Sequence, residues 1–218
     1  MLNINDLSDL TEDELNMLFY QRTVGREFGI QSIIDEINCD YESIKSLDLR
    51  HAKKNAVLDV GGGHGLMLSK FSDDYDKLFL LDKNEFNKNN SLNGLNDVKD
   101  FGGYNSFDVA KKIVGDKVNF LTPDNYQQCD QKFDLIFSWY CCGWHFSPEV
   151  YLNWCIEKLN NFGTICFLLK KHKPFIDSFF KIAIDHNVTC DLVEFDAYKK
   201  TSHSKHKTSY IGVLKRYK

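Results

Sequence analysis

A chain of 218 residues with 43% hydrophobic and 14% aromatic side chains can bury one medium-sized core without staples, which excludes a disordered segment. The formal charge of -4 supplies no global attraction to nucleic acid. No stretch approaches the roughly 18 apolar residues of a membrane span, and Met1–Leu10 lacks the basic-then-apolar order of a signal peptide.

The seven cysteines are odd in number and have no metal-ligand spacing. They are expected to be reduced, mostly buried thiols in a cytoplasmic protein with no bound metal. Charge is unevenly spread: from Ala197 to Lys218 there are seven Lys or Arg and no acid. That run leaves two readings open, a phosphate-facing patch or a solvated strand and loop.

Thr11-Glu12-Asp13-Glu14 is a capping box, in which the Thr11 hydroxyl accepts a helix amide and Glu14 reaches back. Leu15, Leu18 and Phe19 follow at helical spacing. A second helix is expected over Ile30–Ile37, with Ile33, Ile34 and Ile37 on one face. A third is expected over Tyr41–Lys53, with basic residues suited to a helix C-terminus. Residues 1–54 are expected to form a helical cap on the same domain as residues 55–218.

From Ala56 short apolar runs alternate with amphipathic segments. Strands are predicted at Ala56–Val60, Leu78–Leu81, Val118–Leu121, Leu135–Trp139, Thr164–Leu169, Leu192–Phe195 and Tyr210–Leu214. Helices are predicted at Leu66–Ser72 and Pro174–Asn187. Another is expected from Ser147 as cap, with Pro148 in its first turn, Tyr151, Cys155 and Leu159 on one face, and Gly163 as its stop. The last two strands leave no room for a crossover helix and must pair as a hairpin. The fold class is therefore α/β: a three-layer, doubly wound, mostly parallel seven-stranded sheet with an antiparallel C-terminal hairpin. An Asn- and Gly-rich insertion, Phe86–Tyr104, reads either as a binding loop or as surface decoration.

The segment Val57-Leu58-Asp59-Val60-Gly61-Gly62-Gly63-His64-Gly65 runs a buried strand into glycines and then a helix. Glycines there let the backbone turn with positive φ and approach a ligand closely. Asp82 ends the next strand, 23 residues after Asp59. It is placed to accept both ribose hydroxyls of an adenosine, and charge-assisted bonds of that kind contribute about 1.5–3 kcal/mol. Asp59 is suited to fix the turn and to approach a cationic ligand end. The spacing Gly61-x-Gly63-x-Gly65 differs from the G-x-G-x-x-G of dinucleotide sites.

Taken in order, Leu58-Asp59-Val60-Gly61-Gly62-Gly63-His64-Gly65, Leu80-Leu81-Asp82, Phe133-Asp134-Leu135-Ile136-Phe137-Ser138 and Leu159-Asn160-Asn161-Phe162-Gly163-Thr164 resemble the class I S-adenosylmethionine-dependent methyltransferases. The resemblance covers roughly residues 55–218. It implies S-adenosyl-L-methionine as cofactor. Gly61, Gly62, Gly63 and Gly65 would line its methionine and ribose portions, Asp82 would hold the ribose, and Asp59 and Ser138 are likewise expected among the cofactor-binding residues. Within Thr122-Pro123-Asp124-Asn125, Asp124 would meet the adenine amino group. His64 lies where the family varies and receives no catalytic role.

The methyl acceptor should be read at Ser138-Trp139-Tyr140-Cys141-Cys142-Gly143-Trp144-His145-Phe146. This run lacks the signatures of amino-group and cytosine C5 DNA methylation, so neither cysteine is promoted to nucleophile. It is similar, over about fifteen residues, to some sugar O-methyltransferases. The expected partner is a small-molecule acceptor. RNA or protein methylation, or cofactor binding without catalysis, are the alternatives. His145 is the candidate general base, against a packing role beside Pro148. Trp139, Tyr140, Trp144 and Phe146 form either an aromatic wall or core, with core expected for at least two. Lys170, Lys171 and His172 after the fifth strand, and Tyr20, Arg22 and Arg26 in the cap, are candidates to face the acceptor.

Overall fold

The computed structural model describes residues 7–21, 29–47, 54–84, 105–195 and 209–217, with backbone alone for residues 19–21. The side chain of Tyr20, together with Arg22, Arg26, Lys53, the Phe86–Tyr104 insertion and residues 199–208 of the final loop, lies outside the described residues.

Seven strands form a single sheet in the order β3-β2-β1-β4-β5-β7-β6. They are β1 (Ala56–Val60), β2 (Lys77–Leu81), β3 (Val118–Leu121), β4 (Phe133–Ser138), β5 (Leu159–Leu169), β6 (Thr189–Phe195) and β7 (Ser209–Lys215). The first five run parallel: Val57 pairs with Leu78 on one side and Leu135 on the other. β7 enters antiparallel between β5 and β6, as the short final connection requires. Every residue of β1 and β4 is buried, so these central strands read as continuous rather than alternating apolar runs.

The two faces have separate cores. Val57, Leu80, Leu135, Phe137, Leu168 and Val213 point to one, and Leu58, Phe79, Ile136, Ile165, Phe167 and Leu214 to the other. The first face carries α1 (Glu12–Gln21), α2 (Ile30–Lys45), α3 (Leu66–Ser69) and α4 (Phe107–Val114). The second carries α5 (Leu152–Glu157) and α6 (Lys173–Asp185). Asp134, inside the third matching motif, clasps the start of three strands. Its Oδ2 accepts from the Asn55 and Ala56 amides at 2.7 and 3.1 Å, and its Oδ1 from Asn160 Nδ2 at 2.7 Å.

The capping box forms as expected: Glu14 N donates to Thr11 Oγ1 at 3.3 Å and Thr11 N to Glu14 Oε2 at 2.9 Å. Lys112 of α4 adds an ion pair to Glu14 at 2.7 Å, which holds the Glu14 carboxyl below its usual range and ties α1 to α4.

α4 has no counterpart among the expected elements, and three other helices take bounds that differ from expectation. The second and third helices are one, α2, because Ile33, Ile34, Ile37, Tyr41 and Ile44 continue a single apolar stripe. α3 stops at Ser69 and a run of turns replaces its last residues. The helix expected to run to Gly163 instead ends at Glu157 and β5 begins at Leu159. Leu159 is buried in either arrangement, so its position at helical spacing does not distinguish helix from strand. Between Leu159 and Thr164 the β4 pairing shifts register, and Phe162 takes φ 63 in the bulge.

The N-terminal helices therefore do more than cap. The half of the first face over β4, β5 and β7 has no crossover helix, and α2 supplies the missing cover. Tyr41 meets Phe71 at 5.0 Å between ring centroids, and Phe71 meets Phe137 of β4 at 5.2 Å. Ile37 is fully buried there. The substitution Ile37→Ala is expected to cost about 2–5 kcal/mol in urea denaturation. A loss under about 1 kcal/mol would mean that α2 is a detachable appendage.

Candidate functional site

β1 and β4 are neighbours whose connections leave in opposite directions, the switch point beyond whose carboxyl ends sheets of this kind bind ligands. The glycine segment lies at this switch point. Gly61 N donates to Leu81 O at 2.7 Å, which carries the β1–β2 ladder one residue past the strand. The chain then turns with φ of 73, 60 and 73° at Gly61, Gly63 and Gly65.

Close approach also constrains the loop at Gly61, at Gly62 and at Gly65, where a Cβ would stand 2.5 Å from Val114 Cγ2. A Cβ on Gly61 would stand 2.0 Å from Cys141 Sγ, and one on Gly62 would stand 2.2 Å from Asp59 Oδ2. The Asp59 carboxylate thus lies beneath the loop, 1% exposed, with the Gly62 backbone across it. At this burial it has almost no surface to offer a ligand. His64 is also fully buried in the loop, which keeps it from an acceptor.

Asp82 projects from the end of β2 into the same turn. Its Oδ2 accepts from Gly63 N at 2.7 Å, and its Oδ1 from Lys83 N at 2.7 Å and Asn105 Nδ2 at 2.8 Å. Burial pushes this carboxyl above its ordinary range, and the three hydrogen bonds oppose the rise. Asp82 N continues the ladder to Leu121 O of β3 at 3.1 Å.

On the β4 side, Ser138 is fully buried. Its hydroxyl donates to Val60 O at 2.8 Å and accepts from Cys142 N at 3.0 Å. It couples the end of β1 to the following loop, and its reach is spent there. That loop winds on one carbonyl: Cys141 O accepts from the amides of Trp144, His145 and Phe146 at 3.0, 2.7 and 3.3 Å. Lys170 N, after β5, donates to Gly143 O at 2.9 Å and binds the loop to the next strand.

Cys141 lies in the run expected to face the acceptor, but nothing in the sequence pairs it with Gly61. Its side chain sits over Gly61, and burial, followed by the charges of Asp82, Cys142 and Asp59, holds its thiol well above the usual range. That surrounding favours the neutral thiol. Tyr151, expected on a helix face, instead ends a 3-10 turn over Pro148–Val150 that Ser147 caps. Burial and then Cys141, Tyr126, Cys142 and Asp82 push its phenol up to about 12. Its ring meets Tyr126 edge-on at 5.3 Å. Asn105 lies 23 residues beyond Asp82, and no local pattern marks it.

The remaining candidates divide. Asp124 is exposed on the turn after β3, whose backbone is closed by Thr122 N donating to Asn125 Oδ1 at 2.7 Å. His145 is exposed at the β4 edge, and its imidazole is held below its ordinary range by partial burial and then by Lys170. Trp139 is core, packed edge-on against Phe195 at 5.4 Å. Tyr140 and Trp144 pair at 5.2 Å and pack against the same core, whereas Phe146 is 54% exposed. Lys170, Lys171 and His172 are all exposed at the end of β5. Among the described residues, no group of three or more His, Cys, Asp or Glu side chains is placed to hold a metal. Among them, no helix is long and apolar enough to cross a membrane.

No family model matches this chain, and no curated protein matches it by sequence. Solved structures do. The plantazolicin methyltransferase BamL, in complex with a triazolic desmethylPZN analog and SAH, superposes with a TM-score of 0.57 at 16% identity, over 98% of this chain and 94% of that one. A methyltransferase from Pyrococcus furiosus gives 0.55 at 14%, over 94% and 99%. A TehB-like SAM-dependent methyltransferase from Corynebacterium glutamicum gives 0.55 at 14%, over 94% and 98%. The fold is that of the class I S-adenosylmethionine-dependent methyltransferases, as the ordered motifs implied.

The Gly61–Cys141 approach is testable by a double-mutant cycle. Gly61→Ala is expected to lose about 1–2 kcal/mol from its left-handed backbone alone, with a further steric loss against Cys141. Adding Cys141→Gly should return the steric part. Urea denaturation of both single variants and the double variant reads the coupling. Strict additivity would show that the two side chains do not share this space.

Proposed function

We propose that this chain is an S-adenosylmethionine-dependent methyltransferase that acts on a hydroxyl of a small molecule such as a sugar, with His145 as general base. The observation that carries the reading is the stitching of Asp82 to the Gly63 amide at 2.7 Å, at the switch point of this sheet order. That contact puts an acceptor carboxylate and a Cβ-free backbone on one crevice wall, which suits a nucleoside with a cationic tail.

The residues present fit the cofactor. Gly61, Gly62, Gly63 and Gly65 offer backbone without side chains, and Asp82 offers a partly exposed carboxylate for the ribose. Asp124 stands on the surface of the neighbouring turn, open to the adenine amino group. Asp59 and Ser138 act through the loop they hold rather than by touching the ligand. S-adenosylmethionine supplies a methyl group on a positively charged sulfur.

The acceptor oxygen takes that methyl as the methyl–sulfur bond breaks, and the hydroxyl proton passes to the His145 imidazole. The depressed pKa of His145 keeps the ring neutral, and so able to accept, at neutral pH. Alignment by the two loops contributes more than the base does: effective molarities of about 10⁵–10⁸ M, against about 10²–10⁴-fold for proton removal.

RNA or protein methylation and cofactor binding without catalysis are the rival readings; the second shares the glycine and Asp82 site and differs only in the absence of turnover. In the basic C-terminal run Arg216 is spent: it donates to Leu159 O and Ile156 O at 2.7 Å each.

Isothermal calorimetry with S-adenosylhomocysteine is expected to show one-to-one binding, weakened about tenfold or more by Asp82→Asn. An absence of heat with both S-adenosylhomocysteine and S-adenosylmethionine would end the enzyme reading. Across a panel of hydroxylated sugars, kcat/KM should hold steady at neutral pH. It should fall on the acid side with an inflection below 6.5, the ordinary histidine value. His145→Ala should lower kcat by about 10²–10⁴-fold and abolish that acid limb. An unchanged limb would remove His145 from the proton transfer.

A further inference from the structure

We propose that Asn105 is a positioning residue for ribose recognition, fixing the Asp82 carboxylate in the one orientation that presents Oδ2 to the crevice. This rests on the nucleoside-binding reading above and assigns part of that work to a residue from the far side of the 85–104 segment.

The geometry is that of a built clamp. Asn105 Nδ2 donates to Asp82 Oδ1 at 2.8 Å, on the oxygen that already accepts from Lys83 N at 2.7 Å. Gly63 N takes one lone pair of Oδ2 at 2.7 Å. A carboxylate has about four acceptor positions, two on each oxygen. Three are filled, including both of those on Oδ1, and the fourth lies on Oδ2. The open position on Oδ2 is where the carboxylate meets the ribose.

Asn105 is itself held in place. The next residue, Ser106, caps α4 through its hydroxyl, which accepts from Val109 N at 3.4 Å. Phe107 N donates to Asn84 Oδ1 at 3.1 Å, two residues beyond Asp82. The two ends of the segment between β2 and α4 are thereby crossed by two hydrogen bonds, and one of them ends on the ribose acid.

The clamp also has an electrostatic consequence. Asp82 is partly buried, which favours its neutral form, and the groups facing it are the Lys83 ammonium, the Cys141 thiol and the Tyr151 phenol, with Asp59 under the loop. Asn105 is one of three donors that oppose protonation. Without it the carboxyl titrates at higher pH, and affinity for a ribose falls off earlier as the solution is acidified.

The test is calorimetric titration of S-adenosylhomocysteine from pH 5 to 8. Asn105→Ala is expected to weaken binding about tenfold at pH 7.5 and to move the acid fall-off to higher pH. Ser106→Ala loosens the same helix end without touching Asp82, and should leave that fall-off where it is. In an Asp82→Asn background, Asn105→Ala should add no further loss and no pH shift, which separates Asp82 from the buried His64 of the same loop. Should Asn105→Ala fail to fold, Asn105→Gln carries the same comparison. Wild-type affinity and profile in the variant, or the full loss persisting in the Asp82→Asn background, would overturn the role of Asn105 and leave the nucleoside site standing. Failure of the wild-type protein to bind would overturn both.

Discussion

The molecule depends on one close approach, between the backbone of Gly61 at the end of β1 and the Cys141 side chain in the loop after β4. Parallel strands need crossovers, and at the switch point the two crossovers diverge and leave a crevice. Filled by a Cβ, that crevice would push the two loops apart. Left open, it lets Ser138 bridge Val60 O to Cys142 N, and lets Asp82 reach Gly63 N across the β2 edge. The turn, its floor at Asp59 and its walls follow from a single omitted methyl group.

The cost is a buried carboxylate under the turn and a partly buried one beside it. Burying a charge without partners would exceed the stability of a domain of this size. Asp82 meets the demand with three donors, one of which, the Gly63 amide, is there because the glycines bend the chain toward it. The polar groups of the site and the conformation of its loop are therefore one arrangement.

What is legible in the sequence follows this division. β1 and the hairpin order are readable because a buried parallel strand is a continuous apolar run and short connections force antiparallel pairing. The glycine turn and Asp82 are readable because their chemistry is encoded within a few residues. α2 reads as two helices because Asn38, Cys39 and Asp40 interrupt its polarity pattern without interrupting its apolar stripe. Leu159 reads as helical because its burial satisfies both periods. Asn105 and Tyr151 are not readable as site residues, and Cys141 is not readable as the neighbour of Gly61, since each reaches the crevice through a contact made between distant elements. Asp124 sits on the expected turn, but its role depends on a ligand and not on the fold.

The same geometry gives the crevice a direction. At the β1–β2 edge stand Asp59 and Asp82, in a surrounding of reduced dielectric, with Lys83 exposed beside them. At the β5 edge stand Lys170, Lys171 and His172, all exposed. A charge pair at 4 Å interacts by about 1 kcal/mol in water and about 4 kcal/mol at an effective dielectric of 20. The carboxylates therefore dominate the field at their end, and the lysines are largely screened at theirs. His145 stands beside the β5 edge, and Lys170 contributes to keeping it unprotonated. Lys170 also donates its amide to Gly143 O, in the loop that carries His145. Its backbone thus sets the position of that loop while its side chain helps set the charge state of the imidazole.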